Sequence, residues 1–183
     1  GRPRRWAEDV FAPVGRPGLA VFLNGARVWA VAGHRPVALR GIEPGVGVRE
    51  LFFQIGDGAI VYRGGDGAYV PALWPQNGEY ANCTWFVTDD DAAERVQSAA
   101  AEGVHEVALL TDGLQGLALR FDTREAHGPF FEPMFARLRA EGEGEPESLR
   151  EELRAFLGSA PVNQRTDDDK TLVLATRLLP APE

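Results

Sequence analysis

Residues 51–63 read LFFQIGDGAIVYR, and they carry the clearest structural signal in the chain. Two apolar runs, 51–56 and 59–63, surround the turn Gly56-Asp57-Gly58. Such a turn between two strand-forming runs predicts a β-hairpin, because glycine tolerates positive φ. A further Gly-rich turn leads to an apolar run at 68–73, so the sequence predicts a meander of three antiparallel strands.

The rest of the chain mixes strands with helices. Further strands are predicted at 84–87, 105–110 and 171–176. Helices are predicted at 1–11, 92–101, 130–139 and 146–157. Residues 12–49 show no sustained period of either 2 or 3.6. Strand meanders followed by inserted helices indicate an α+β fold rather than alternating βαβ units. The 183 residues contain no long linker, so a single domain over 1–183 is expected.

Composition narrows the functional classes. The net charge of −8 argues against nucleic acid as a main partner, since phosphate backbones need a basic surface. A single cysteine, Cys83, excludes an internal disulfide, fits a reducing compartment and disfavours zinc. Apolar runs are too short to span a bilayer, and no signal-peptide core follows the first residues. These features predict a cytoplasmic protein with no membrane association.

Three acidic turns follow or precede strand-like apolar runs. They contain Asp57, then Asp112 in Thr111-Asp112-Gly113, then the run 167–169, which is Asp-Asp-Asp. A carboxylate beside a buried strand must be solvated, paired or bound to metal. If the fold brings these turns together, their oxygens suit hard cations such as Mg²⁺ or Mn²⁺. The alternative is that they are ordinary turns, since Asp and Gly are common turn residues. For the run 167–169 this alternative is a solvated loop with Lys170 and Arg165 as counter-charges.

In this order, the acidic turns resemble motifs of the bacterial branch of the type 2C (PPM) metal-dependent Ser/Thr protein phosphatases. The resemblance covers about residues 50–177, and residues 1–49 match poorly. The segments that carry it are QIGDGAIV at 54–61, WP at 74–75, GEYANCT at 78–84, LLTDG at 109–113 and DDKTLV at 168–173.

This resemblance implies two packed antiparallel β-sheets flanked by helices, an αββα sandwich. It implies hydrolysis of protein phosphomonoesters by a metal-activated water, with no catalytic side chain and two Mg²⁺ or Mn²⁺ ions per site. Asp112 and Asp168 match the aspartates that hold the two ions, and Asp57 matches the turn near a third, weaker ion. Gly113 and Asp169 belong to the same metal motifs. The partners implied are a phosphorylated protein and a partner Ser/Thr kinase.

One departure from the family pattern leaves a second hypothesis open. The family has a metal-bridging Asp followed by Gly in an N-terminal motif, but here no Asp-Gly precedes Asp57 and the only earlier aspartate is Asp9. Loss of a shared carboxylate should loosen both ions. The chain could therefore be a catalytically impaired phosphatase-like binding or regulatory module, or a truncated remnant. A third hypothesis is an α+β domain whose aspartates only form turns.

Overall fold

A computed structural model shows an α+β fold, as predicted. It describes residues 19–24, 27–32, 35–36, 49–76, 84–85, 89–141, 144 and 147–177. The strands are β1 (Leu19–Asn24), β2 (Arg27–Ala32), β3 (Arg35–Pro36), β4 (Arg49–Gln54), β5 (Ala59–Arg63), β6 (Tyr69–Leu73), β7 (Gln97–Glu102), β8 (Glu106–Leu110), β9 (Leu119–Arg120), β10 (Glu125–Ala126) and β11 (Leu172–Thr176). The helices are α1 (Ala92–Arg95), α2 (Gln115–Ala118), α3 (Gly128–Arg139), α4 (Glu147–Leu157) and α5 (Ala160–Asn163).

Two antiparallel layers form the centre of the fold. The first is a four-stranded sheet in the order β11-β8-β5-β6. The second contains β4 paired with β7, and β1 of the β1-β2-β3 sheet lies alongside β4. Strands β9 and β10 form a separate small hairpin. The expected sandwich of packed antiparallel sheets with helices outside is thus confirmed.

The four-stranded sheet is buried on both faces. On one face, Ala59, Val61 and Leu110 belong to the cluster that contains the helix residues Phe131 and Phe135. On the other face, Ile60 and Leu109 pack in a second cluster with Phe52 of β4 and with Val104. Neighbouring residues of a strand point to opposite faces, so each strand serves both clusters. This layering fixes the sheet between α3 and the β4–β7 layer.

The predicted hairpin of 51–56 with 59–63 is wrong. Strand β4 pairs with β7, whereas β5 pairs with β8 and β6, so the Gly56-Asp57-Gly58 turn carries the chain from one sheet to the other. Only the β5–β6 part of the three-stranded meander forms. Both apolar runs are buried, which means that alternation alone cannot identify the partner of either strand. Gly56 has φ +86, and a Cβ there would lie 2.9 Å from the Trp85 carbonyl oxygen.

The predicted helix at 92–101 is also wrong beyond its first turn. Helix α1 ends at Arg95, and Val96 is extended before β7 begins. Strand β7 supplies the partner of β4, so a tertiary pairing overrides the helical preference of its alanines. The helix start at Asp91 is as expected, but Asp91 makes no side-chain cap and instead forms an ion pair with Arg95 at 2.5 Å.

Most of the remaining predictions agree with the structure where it describes them. Helices α3 and α4 correspond to the predicted 130–139 and 146–157, and strands β8 and β11 to 105–110 and 171–176. The uninterpreted segment 12–49 contributes β1, β2 and β3. The predicted helix at 1–11 lies outside the described residues. Of the predicted strand at 84–87, only residues 84 and 85 are described, and they are not in a strand.

A buried charged group lies at the start of β8. Glu106 is only 2% exposed, and its carboxylate accepts hydrogen bonds from Arg139 of α3 and from the Tyr69 hydroxyl at 2.8 Å. Arg63 approaches the same carboxylate at 3.5 Å. Burial is the largest cause of the raised pKa of Tyr69, and the hydrogen bond to the Glu106 carboxylate raises this pKa further. This network ties α3 to the sheet at the end opposite Asp112, which lies two residues beyond the end of β8.

Candidate active site

The antiparallel register brings the three acidic turns to one edge of the four-stranded sheet. Leu110, the last residue of β8, is paired with Leu172, the first of β11, and with Ala59, the first of β5. Residues just beyond the end of β8 therefore lie beside those that precede β5 and β11. This places Asp57, Asp112 and Asp168 at the same edge, as the convergence hypothesis requires.

Thr111 fastens the loop before β11 to the end of β8. Its hydroxyl donates to the main-chain oxygen of Asp169 at 3.2 Å and accepts from the main-chain nitrogen of Thr171 at 3.0 Å. The Thr111 nitrogen also donates to the Thr171 oxygen at 3.2 Å. Thr111 is only 4% exposed. These three hydrogen bonds fix the acidic loop relative to Asp112 through main-chain atoms.

Gly113 allows the same two segments to touch. A Cβ at this position would lie 2.4 Å from the Asp169 carbonyl oxygen and 3.2 Å from the Asp168 Cβ. The first distance is far too short for any side chain, so glycine is required by close approach. The Gly113 nitrogen donates to Asp112 Oδ1 at 2.9 Å, which orients that carboxylate.

The turn that contains Asp57 is held from two sides through main-chain atoms of Gly56 and Asp57. The side-chain nitrogen of Gln115, in α2, donates to the Asp57 carbonyl oxygen. On the other side, the main-chain nitrogen of Gly56 donates to Gln76 Oε1 at 3.2 Å, and the main-chain nitrogen of Gln76 donates to the Gly56 carbonyl oxygen at 3.1 Å. Sequence reasoning missed Gln115, since a glutamine in a short helix carries no signal of a contact 58 residues away.

The three carboxylates influence one another electrostatically. Partial burial of its carboxyl group raises the pKa of Asp112, although the residue as a whole is exposed, and the negative charges of Asp57 and Asp168 raise it further. Asp57 is half-buried, whereas Asp112 and Asp168 are exposed to solvent. The structure thus brings together three of the five predicted metal-site residues as carboxylates. Asp169 contributes its main-chain oxygen to the Thr111 contact.

The donor chemistry of this edge fits a hard divalent cation in part. Carboxylate oxygens are preferred ligands of Mg²⁺ and Mn²⁺, and a bound cation neutralises carboxylate charges that would otherwise repel one another. Among the described residues, however, no group of three or more His, Cys, Asp or Glu side chains is placed to hold a metal ion. The described carboxylates therefore lie near one another but do not by themselves form a metal-binding cluster.

A family model described as protein phosphatase 2C matches residues 43–158. The chain belongs to this family. The chain is also 48% identical, over 126 residues, to serine/threonine-protein phosphatase 3 of Escherichia coli (strain K12). That match covers 68% of this chain but 49% of the relative, so the chain spans about half the length of the curated relative. No solved structure matches the chain.

Within the phosphatase 2C match lie the turns of Asp57 and Asp112, but not the loop of Asp168 and Asp169. The placement of that loop therefore rests on the Thr111 and Gly113 contacts and not on the family model. In the part of the chain that the structure describes, no helix is long and apolar enough to cross a membrane.

Proposed function

We propose that this chain is an Mg²⁺- or Mn²⁺-dependent phosphatase domain that hydrolyses phosphoserine and phosphothreonine monoesters on proteins. Asp112 and Asp168 are the proposed ligands of the two ions, with Gly113 and Asp169 in the same motifs, and Asp57 is the proposed ligand of a third, weaker ion. Residues 1–183 would act as a single domain.

One observation carries this proposal. Inside a chain of the protein phosphatase 2C family, an antiparallel register gathers Asp57, Asp112 and Asp168 at one sheet edge. The raised pKa of Asp112, caused by burial and then by the other two carboxylates, supports their proximity. Like charges at close range favour a bound cation that neutralises them.

The bound ions would lower the pKa of an attacking water and stabilise charge on the phosphoryl oxygens. The chain's own part is to hold the carboxylates in place. Gly113 orients the Asp112 carboxylate through its N–H, and Thr111 holds the loop of Asp168. Preorganised groups of this kind lower the barrier because little reorganisation is needed at the moment of reaction. Direct attack by water requires no phosphoenzyme, so no protein nucleophile is invoked.

The substrates proposed here are cytoplasmic bacterial phosphoproteins, with a partner Ser/Thr kinase that makes them. The relative's printed name supports the Ser/Thr class. The net charge of −8 makes nucleic acid a poor partner and leaves phosphate binding to the bound cations.

The test is hydrolysis of p-nitrophenyl phosphate and a phosphothreonine peptide with Mn²⁺, for the full chain and for Asp112→Asn. We expect hydrolysis that requires Mn²⁺ and falls by at least about 100-fold in the variant, the scale of losing a principal electrostatic group. Asp66→Asn is the matched control: Asp66 lies in the β5–β6 turn, where Oδ1 accepts from the Ala68 nitrogen, a bond that asparagine can keep. Mn²⁺ binding without hydrolysis would favour the regulatory module, and no Mn²⁺ binding would refute the metal-dependent function.

A further inference from the structure

We infer that Gln115 is a positioning residue that sets the separation of Asp57 from Asp112 and thereby the affinity of the site for its divalent cation. This inference rests on the proposed function and names a residue that the acidic motifs do not contain. It assigns Gln115 a role through main-chain restraint, without contact to substrate or metal.

The hydrogen bond of Gln115 joins the two segments that carry these aspartates. Gln115 lies three residues after Asp112, at the start of α2, and its side-chain nitrogen donates to the carbonyl oxygen of Asp57. The neighbours Leu114 and Ala118 are fully buried in the core, so the backbone from which Gln115 reaches out is fixed. The restraint therefore runs from the core to the Asp57 turn in a single side chain.

The choice of acceptor keeps the Asp57 carboxylate available. Gln115 binds the main-chain oxygen and not the carboxylate, and the charge of Asp57 is felt at Asp112. Gly56, which precedes Asp57, has φ +86 and pairs with Gln76 on the other side. Glycines on both sides of Asp57 give the turn little conformational restraint of its own, so the hydrogen bonds from Gln76 and Gln115 hold it.

A side chain that positions a metal ligand by a hydrogen bond commonly affects the affinity of the site for the metal. Loss of such a supporting hydrogen bond typically reduces metal affinity by about 10–100-fold. Because this restraint acts on a main-chain atom next to one carboxylate, we expect the lower end, a loss of about tenfold in Mn²⁺ affinity. The isolated hydrogen bond is partly exposed, so its effect on the stability of the metal-free protein should be small.

The experiment compares Gln115→Met with the wild-type chain. Methionine keeps the length and the helical preference of glutamine but cannot donate. Mn²⁺ titration by calorimetry should show the tenfold weaker binding. Hydrogen exchange of the metal-free protein should be faster at residues 56–58 only. At saturating Mn²⁺ the kcat for p-nitrophenyl phosphate should return to within about twofold of wild type, because a positioning residue acts before the chemical step. Gln164→Met, at an exposed position after α5, is the matched control and should change none of these.

A double-mutant cycle separates positioning from a general structural role. If Gln115 acts through Asp57, Gln115→Met should have no further effect on Mn²⁺ affinity in an Asp57→Asn background. Additive effects, or wild-type affinity in Gln115→Met, would overturn the inference while leaving the proposed function intact. Absence of Mn²⁺ binding by the wild-type chain would instead refute the proposed function itself.

Discussion

The Gly113→Ala substitution tests the closest contact of the candidate site with a single methyl group. That methyl would lie 2.4 Å from the Asp169 carbonyl oxygen and 3.2 Å from the Asp168 Cβ. The Asp169 oxygen cannot simply rotate away, because it accepts the hydrogen bond of the Thr111 hydroxyl at 3.2 Å. The end of β8 and the acidic loop must therefore move apart.

The size of that movement follows from the geometry. Ordinary contact begins at 3.4 Å, so the two segments must separate by 3.4 − 2.4 = 1.0 Å. Overpacking of this kind costs about 1–3 kcal/mol. In a chain of this length each kcal/mol lowers Tm by about 2–4 °C, which gives a decrease of about 2–12 °C. A 1 Å misplacement of reacting groups can also reduce the rate by about 100-fold.

Thermal unfolding of the metal-free protein and Mn²⁺-dependent hydrolysis of p-nitrophenyl phosphate measure the two effects. Gly116→Ala is the matched control, three residues away, where a Cβ would meet nothing within 4 Å. Gly116 lies in α2, so alanine there should stabilise the protein by about 0.5–1 kcal/mol. A Gly113→Ala protein that melts like wild type and retains full activity would refute the argument from close approach.

Of three further substitutions, one should raise the stability of the protein and two should lower it. For Asp112→Asn we expect Tm of the metal-free protein to rise by about 1–4 °C at pH 7, because removing a repelled charge commonly gains about 0.5–1 kcal/mol. Because the pKa of Asp112 is raised in the folded state, the stability of the wild-type protein falls as pH rises from the unfolded-state pKa through the folded-state pKa. The difference in Tm between Asp112→Asn and wild type should therefore vanish in acid, and an equal difference at pH 3 would contradict this. Glu106→Gln should lower the free energy of unfolding in urea by about 1–3 kcal/mol, because Arg139 would then donate to a neutral amide in place of a buried carboxylate. It should leave Mn²⁺ affinity unchanged, as the network is at the opposite end of β8, and weaker Mn²⁺ binding would argue against that separation. Thr111→Val should lower the free energy of unfolding by about 1–3 kcal/mol, because the Thr171 N–H loses its acceptor, and Thr111→Ser should keep most of the wild-type stability. A Thr111→Val protein with the Tm of the wild type would argue against the role of these hydrogen bonds.

The convergence of the acidic turns could be predicted because it depends on local signals. Each aspartate adjoins an apolar run, and the end of a run marks the end of a strand. Antiparallel pairing then brings the end of β8 to the starts of β5 and β11. Helices α3 and α4 were predictable for a similar reason, since each shows the helical period over three turns.

Strand partners could not be predicted, because pairing is decided by the whole fold. The run of β4 is as apolar as that of β5, so a hairpin between them fits the pattern as well as the observed pairing with β7. Alanines in β7 favour a helix in isolation, and only the need to cover β4 makes them a strand. Gln115 was missed for the same reason, since its partner is 58 residues away.

Residues 111–115 act as the organising segment of this site, and they do so through main-chain acceptors. Thr111 binds the oxygen of Asp169, and Gln115 binds the oxygen of Asp57. Neither contact uses a carboxylate of Asp57 or Asp168, so replacing those carboxylates by amides leaves the supporting hydrogen bonds in place. A loss of Mn²⁺ binding in an Asp→Asn variant would therefore report on the chemistry of the carboxylate and not on collapse of the loop. Substitutions at Thr111, Gly113 and Gln115 should do the reverse, changing geometry while every carboxylate remains.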